Sequence, residues 1–237
     1  IRDRISSDNI NLPVMVWIHG VGNTTGMPSE YNPEIFVKSE RIIFVSIAYR
    51  LGIFGWLSHP ELREQDGIDS SSNFGLLDQI MAVKWVKENI QFFGGNPNNI
   101  TIFGESAGGQ NVIALYSSPL AKGLFDRAIS QSGGTSVTSV KDAEKINRSD
   151  PDYISSYKNR HVTTEEWVNI LNKKGLIPSK FGEKNNLFDI RSLDSSALMS
   201  GIDKGEFWSS QRDLARIISD NVVTVSYTHL TLPTTSV

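Results

Sequence analysis

One serine in this sequence sits among residues suited to activating it. In "TIFGESAGGQ" (residues 101–110), Gly104-Glu105-Ser106-Ala107-Gly108 follows a β-branched, apolar run and leads into small residues. A serine alcohol is a weak nucleophile until a base takes its proton. G-x-S-x-G is the pattern of a nucleophile elbow when it lies between a strand and a helix, and both are predicted here. In so sharp a turn, side chains at Gly104 and Gly108 would collide with neighbouring backbone. The hydroxyl would then stand over a helix N-terminus, whose unpaired N–H groups favour developing negative charge. The competing reading is an ordinary glycine-rich turn, because small residues make a bare G-x-S-x-G common by chance.

A second stretch supplies what the first lacks. "WIHGVGNTTG" (residues 17–26) places a His-Gly-x-Gly loop after an earlier strand. Such a loop can offer backbone N–H groups to the oxygen of a tetrahedral intermediate, together with the N–H of the residue after the nucleophile. Loss of one such donor typically costs about 10²–10³ in rate, or roughly 3 kcal/mol. Taken singly the loop reads as a glycine turn; paired with the elbow it reads as an oxyanion hole. A dinucleotide-binding loop is excluded, because G-x-G-x-x-G does not follow the first strand.

The elements that would position these residues are legible as apolar runs. "LPVMVWIHG" (residues 12–20), "RIIFVSIAYR" (41–50), "NITIFG" (99–104) and "RAISQSG" (127–133) read as strands. The second is almost continuously apolar, as expected where helices cover both sheet faces. Leu76, Leu77, Ile80, Met81, Val83 and Trp85 recur at helical spacing and predict a wide amphipathic helix, stopped by Gly94, Gly95 and Pro97. A helix is expected from Ala107 towards Leu115, a capped one over residues 163–175, and another over 210–219. Alternating strands and helices imply a mostly parallel sheet in an α/β fold.

Composition narrows the partners. The 237 residues suffice for one large α/β domain. A net charge of −3 without any Lys/Arg block speaks against nucleic acid and against an anionic membrane surface. The longest strongly apolar stretch, residues 42–49, is far short of the roughly 20 residues of a membrane-spanning helix. The absence of cysteine excludes disulfides, thiolate metal sites and a cysteine nucleophile, and leaves the compartment open.

With these motifs in order, the chain resembles the type-B carboxylesterase/lipase family. The resemblance rests on "LPVMVWIHG", "AYRLGIFGWLSHPEL", "NFGLLDQIMAVKWVKENIQFFGGNPNNITIFGESAGG" and "GLFDRAISQSGG". It is dense over residues 12–134 and faint beyond. That family includes bacterial para-nitrobenzyl-type esterases and cholinesterases, all with the α/β-hydrolase fold. The resemblance implies Ser106 as acyl-accepting nucleophile and the N–H groups of Val21, Gly22 and Ala107 as oxyanion donors. Gly20, Gly104 and Gly108 are implied as supporting glycines, and Glu105 as a buried supporting carboxylate. A small-molecule ester is the implied partner; no metal or organic cofactor has a task in the scheme. The chain departs from the family at Val21, where a glycine is usual. A β-branched residue tolerates positive φ poorly, so the loop geometry is in question there. Some animal relatives are catalytically silent binding or adhesion modules, and Val21 is the one feature that favours that alternative.

The base and acid are not readable. In this fold they follow the serine in the order acid, then histidine. Of the four histidines, His19 and His59 precede Ser106, and His161 lies in a polar stretch of surface character. His229 falls in "VSYTHLTLPT" (residues 225–234), which matches one frame of a transposase-type sequencing adapter. Residues 225–237 are therefore expected to be non-native, and residues 1–224 to be a partial esterase domain of a longer protein that carries the acid and histidine. The start, "IRDRISSDNI", shows neither an initiator methionine nor a signal peptide, so targeting is unread. Asp142, Asp150, Asp152, Glu165 and Glu166 read as solvated charges, and Asp78 as one half of an internal ion pair. Residues 1–223 alone should hydrolyse a nitrophenyl ester feebly, retaining at most about 10³–10⁴ over water. Turnover equal to that of full-length esterases would contradict the expectation.

Overall fold

In the computed structural model, which describes residues 11–63, 67–144, 163–177, 193–200, 217–221 and 223–224, the apolar runs pair as parallel strands. In chain order the elements are β1 (Leu12–Ile18), α1 (Glu34–Glu40), β2 (Ile43–Ser46), α2 (Ile53–Trp56) and α3 (Pro60–Arg63). Next come α4 (Phe74–Asn89), β3 (Gly95–Glu105), α5 (Ala107–Ser117) and β4 (Arg127–Gln131). The later described elements are β5 (Thr138–Ser139), α6 (Val140–Glu144), α7 (Thr164–Lys173), α8 (Ser195–Ser200) and β6 (Ile218–Ser219).

The main sheet runs β2-β1-β3-β4 and is parallel throughout. Parallel neighbours need crossover connections, which α4 and α5 help to supply. The register sets Ile18 beside Gly104 and Glu105 beside Gln131, so β1, β3 and β4 end at one level. Alternation sends Val14, Val16, Ile18, Ile100 and Ile102 to one face, where they are fully buried with Leu76, Val83, Val86, Val112 and Leu115. On the other face Trp17 meets Phe103 at 4.9 Å and Tyr31 at 5.0 Å between ring centroids.

Three expectations change. The buried stripe of α4 is Leu76, Gln79, Val83 and Val86, while Met81 and Trp85 are exposed. At helical spacing those two lie on the opposite side, and Trp85 instead leans on Phe93. Coverage of both sheet faces at the second strand run also changes, because all four residues of β2 are only half-buried. Finally, Ile218–Ser219, within the expected helix over 210–219, form a strand; residues 210–216 lie outside the described residues. That strand pairs in parallel with β5, Thr138 beside Ile218. The Asn73 side-chain amide holds it from elsewhere in the chain, accepting from the Ile218 N–H and donating to the Ile218 carbonyl, each at 2.8 Å. The adapter-like residues 225–237 and His161 also lie outside the described residues.

Two local readings hold. Asp78 receives the Arg50 guanidinium through two hydrogen bonds of 2.8 Å and the Arg50 backbone N–H at 2.9 Å. Helix α7 begins with a capping box: Thr163 Oγ1 accepts from the Glu166 N–H, and Glu166 accepts from the Thr163 N–H. Its Trp167 and Leu171 are buried against Ile53, Leu57 and Leu62. No described helix is long and apolar enough to cross a membrane. Thr163→Ala should cost about 1 kcal/mol through loss of the cap, read as a lower urea midpoint; an unchanged midpoint would show the cap to be idle.

Candidate active site

The β3–α5 junction turns on one residue. Ser106 has φ 57 and ψ −120, a left-handed conformation held by its N–H donating to the Gln131 carbonyl at 2.9 Å. Its own carbonyl accepts from the Gln110 N–H, which starts α5. A serine in this region costs about 1–3 kcal/mol, and such strain persists only where the surroundings over-determine it. The result is an exposed Ser106 at the start of an eleven-residue helix, with Ala107 buried directly behind it.

The glycines around it are there because backbone meets backbone. A Cβ on Gly108 would lie 2.1 Å from the Ile18 carbonyl oxygen, and one on Gly104 2.6 Å from the Gly108 and Ile18 oxygens. A Cβ on Gly20 would fall 2.5 Å from the Glu105 carbonyl oxygen and 3.3 Å from Ser106 Cβ. The His-Gly-x-Gly loop is thereby brought against the elbow, though 86 positions separate Gly20 from Ser106 in the chain.

The loop itself is left-handed over three consecutive residues, Val21 at φ 62, Gly22 at φ 67 and Asn23 at φ 58. Val21 therefore adopts the conformation that its β-branched side chain disfavours, and that side chain is exposed. Local bonds close the turn: Thr24 donates to the Val21 carbonyl through its N–H at 3.2 Å and its hydroxyl at 2.9 Å.

Beneath the loop lies a buried polar layer. Tyr49 donates its hydroxyl to the His19 carbonyl at 2.7 Å, and its ring stacks on the His19 imidazole at 4.5 Å. Asn23 and Asn111 exchange side-chain hydrogen bonds, Asn111 Nδ2 to Asn23 Oδ1 at 2.8 Å and Asn23 Nδ2 to Asn111 Oδ1 at 3.3 Å. Burial holds the His19 imidazole below its ordinary pKa and raises that of the Tyr49 phenol. Burial of the His19 ring within the loop thus disfavours its charged form.

Among the described residues Glu105 is exposed, with its carboxylate beside the loop, Oε2 falling 3.3 Å from a Cβ placed on Gly20. Strand alternation puts Ile102 and Gly104 towards the core, and Glu105 with Thr101 and Phe103 on the other side, beside the exposed edge strand β4. Tyr49 and Asn111 were missed from sequence. The signal at Asn111 was available, since a polar residue at a core-facing position of α5, between Gly108 and Leu115, demands a partner. Among the described residues, no group of three or more His, Cys, Asp or Glu gathers as a metal site would require.

The arrangement offers an exposed alcohol at a helix start, with Gly20 of the His-Gly-x-Gly loop packed against it. A profile of the carboxylesterase family matches residues 3–207. Carboxylesterase 1D of Rattus norvegicus is 52% identical over 125 residues, covering 53% of this chain and 21% of that protein. The para-nitrobenzyl esterase of Bacillus subtilis is 50% identical over 127 residues, covering 53% of this chain and 25% of that protein. The solved structure of a PNB esterase superposes with a TM-score of 0.65 at 32% identity, covering 91% of this chain and 41% of that one. The chain thus spans less than half the length of the relatives it matches. Val21→Gly should raise the thermal midpoint slightly, because relief of about 1–2 kcal/mol of left-handed strain exceeds the roughly 0.5–1 kcal/mol entropic cost of glycine. A clear fall would mean that the valine side chain is stabilising.

Proposed function

The chain belongs to the carboxylesterase family, and from that premise we propose that the whole protein is a serine carboxylesterase acting through an acyl-enzyme on Ser106. Its sheet and flanking helices are those of the α/β-hydrolase fold. In the proposed reaction Ser106 Oγ attacks the carbonyl carbon of a small carboxylic ester, and its proton passes to a histidine contributed by the rest of the protein. The carbonyl π electrons move onto oxygen, and the N–H groups of Val21, Gly22 and Ala107 receive that negative charge. Collapse expels the alcohol, which takes the proton back from the histidine. Water then attacks the acyl-serine, with the same histidine as base, and releases the acid.

The observation that carries this reading is the strained, exposed Ser106 set against Gly20 of the His-Gly-x-Gly loop. Strain at a non-glycine residue is maintained only by an insistent environment. A purely structural turn would be served as well by glycine in place of Ser106, at no such cost. Val21 is compatible with the scheme, since valine keeps its backbone N–H. The rival reading, a catalytically silent binding or adhesion module, draws on that same valine.

Labelling of the whole protein with a fluorophosphonate separates the two. Covalent modification at Ser106 is expected, with Ser106→Ala abolishing it and lowering kcat for a nitrophenyl ester by at least about 10³-fold. A folded whole protein that takes no label and hydrolyses no ester would establish the silent module instead.

A further inference from the structure

We propose that Asn111, through its reciprocal amide pair with Asn23, is the positioning residue that holds the oxyanion loop in register with the Ser106 helix; this rests on the esterase reading above. The need for such a device follows from the sheet. Pairing between β1 and β3 ends at Ile18 and Gly104, so residues 20–23 continue beyond the last ladder contact between those strands. Their N–H groups must nevertheless point at the same oxygen as the Ala107 N–H, which is fixed on α5. A misplacement of 1 Å can cost about 10²-fold in rate.

The segment after β2 holds the loop through Tyr49 Oη, which donates to the His19 carbonyl at 2.7 Å and to Asn23 Oδ1 at 3.4 Å, and through the Gly52 N–H, which donates to the Asn23 carbonyl at 2.7 Å. The amide pair does something different. Asn111 lies five residues past Ser106 on α5, so its side chain joins the loop to the helix that carries both the nucleophile and the Ala107 donor. Both amides are buried, Asn23 at 2% exposure and Asn111 at 0%. Within the pair each amide gives one N–H and receives one, and neither amide titrates. Asparagine also suits position 23 twice over, because it tolerates the φ of 58 better than most residues while its side chain reaches Asn111.

The test compares Asn111→Ala, Asn23→Gly and the double variant in the whole protein. Asn111→Ala strips the buried Asn23 Nδ2 of its Asn111 partner and leaves Asn23 Oδ1 only the 3.4 Å bond from Tyr49 Oη, so the melting temperature should fall, whereas removing both partners avoids that penalty. Stability should therefore recover in the double variant while kcat does not. In Asn111→Ala and the double variant, kcat for a nitrophenyl ester should fall about 10–100-fold, with KM changed less than about twofold. Affinity for a trifluoromethyl ketone, which forms an oxyanion adduct with a serine, should fall in parallel. Amide hydrogen exchange at Val21 and Gly22 should quicken in Asn111→Ala, a readout that does not depend on turnover. Recovery of kcat together with stability in the double variant would reduce Asn111 to a packing role, and unchanged exchange at Val21 and Gly22 would overturn the clamp outright. If the unaltered protein neither hydrolyses esters nor takes a fluorophosphonate, the esterase reading fails, while the exchange measurement still decides whether Asn111 holds the loop.

Discussion

The contact between the Ile18 carbonyl and the Cα of Gly108 is the constraint on which the rest of the site depends. A Cβ at Gly108 would stand 2.1 Å from that oxygen, so no other residue type lets α5 approach the end of β1 this closely. Gly104 and Gly20 carry the same restriction towards Gly108 and Glu105. Close backbone approach is what forces the turn at Ser106 into its left-handed conformation, and what brings the His19–Asn23 loop over it. The hydrophobic core stabilises the sheet, yet a core alone would tolerate several geometries at the strand ends. Backbone sterics select one.

The second determinant is polar and buried. His19, Asn23, Tyr49 and Asn111 are all nearly or wholly inaccessible, in a place where an unpaired amide would cost about 1–3 kcal/mol. Their hydrogen bonds join three segments, the loop after β1, the segment after β2 and helix α5. Directional bonds of this kind define a position more sharply than apolar contact does. Burial also lowers the His19 pKa, which disfavours a charged ring in the loop beside the serine. The two halves of the proposed oxyanion hole, otherwise distant in sequence, therefore rest on one network.

Position 21 shows how the two determinants trade against each other. The loop needs positive φ at Val21 whatever residue is there, because its flanks are held by Gly20 against Glu105 and by Asn23 against Asn111. Valine accepts the strain and turns its side chain to solvent. The geometry is dictated by the neighbours, and the residue at the position complies at an energetic cost.

Much of this was written in the sequence. The strand runs, the elbow at Ser106, the His-Gly-x-Gly loop and the capped helix at residues 163–175 are local patterns. Steric and hydrogen-bonding rules act over a few residues there, so residue types alone determine them. Only the tertiary structure decided which way a side chain faced when local pattern left a choice. Met81 and Trp85 share the apolar character of Leu76 and Val83 but lie on the far side of α4. It also decided the strand at Ile218, paired with β5 and held by the side chain of Asn73, and the pairing of Asn23 with Asn111 across 88 positions. Such contacts depend on where the folded chain brings distant segments together, and no local periodicity encodes that distance.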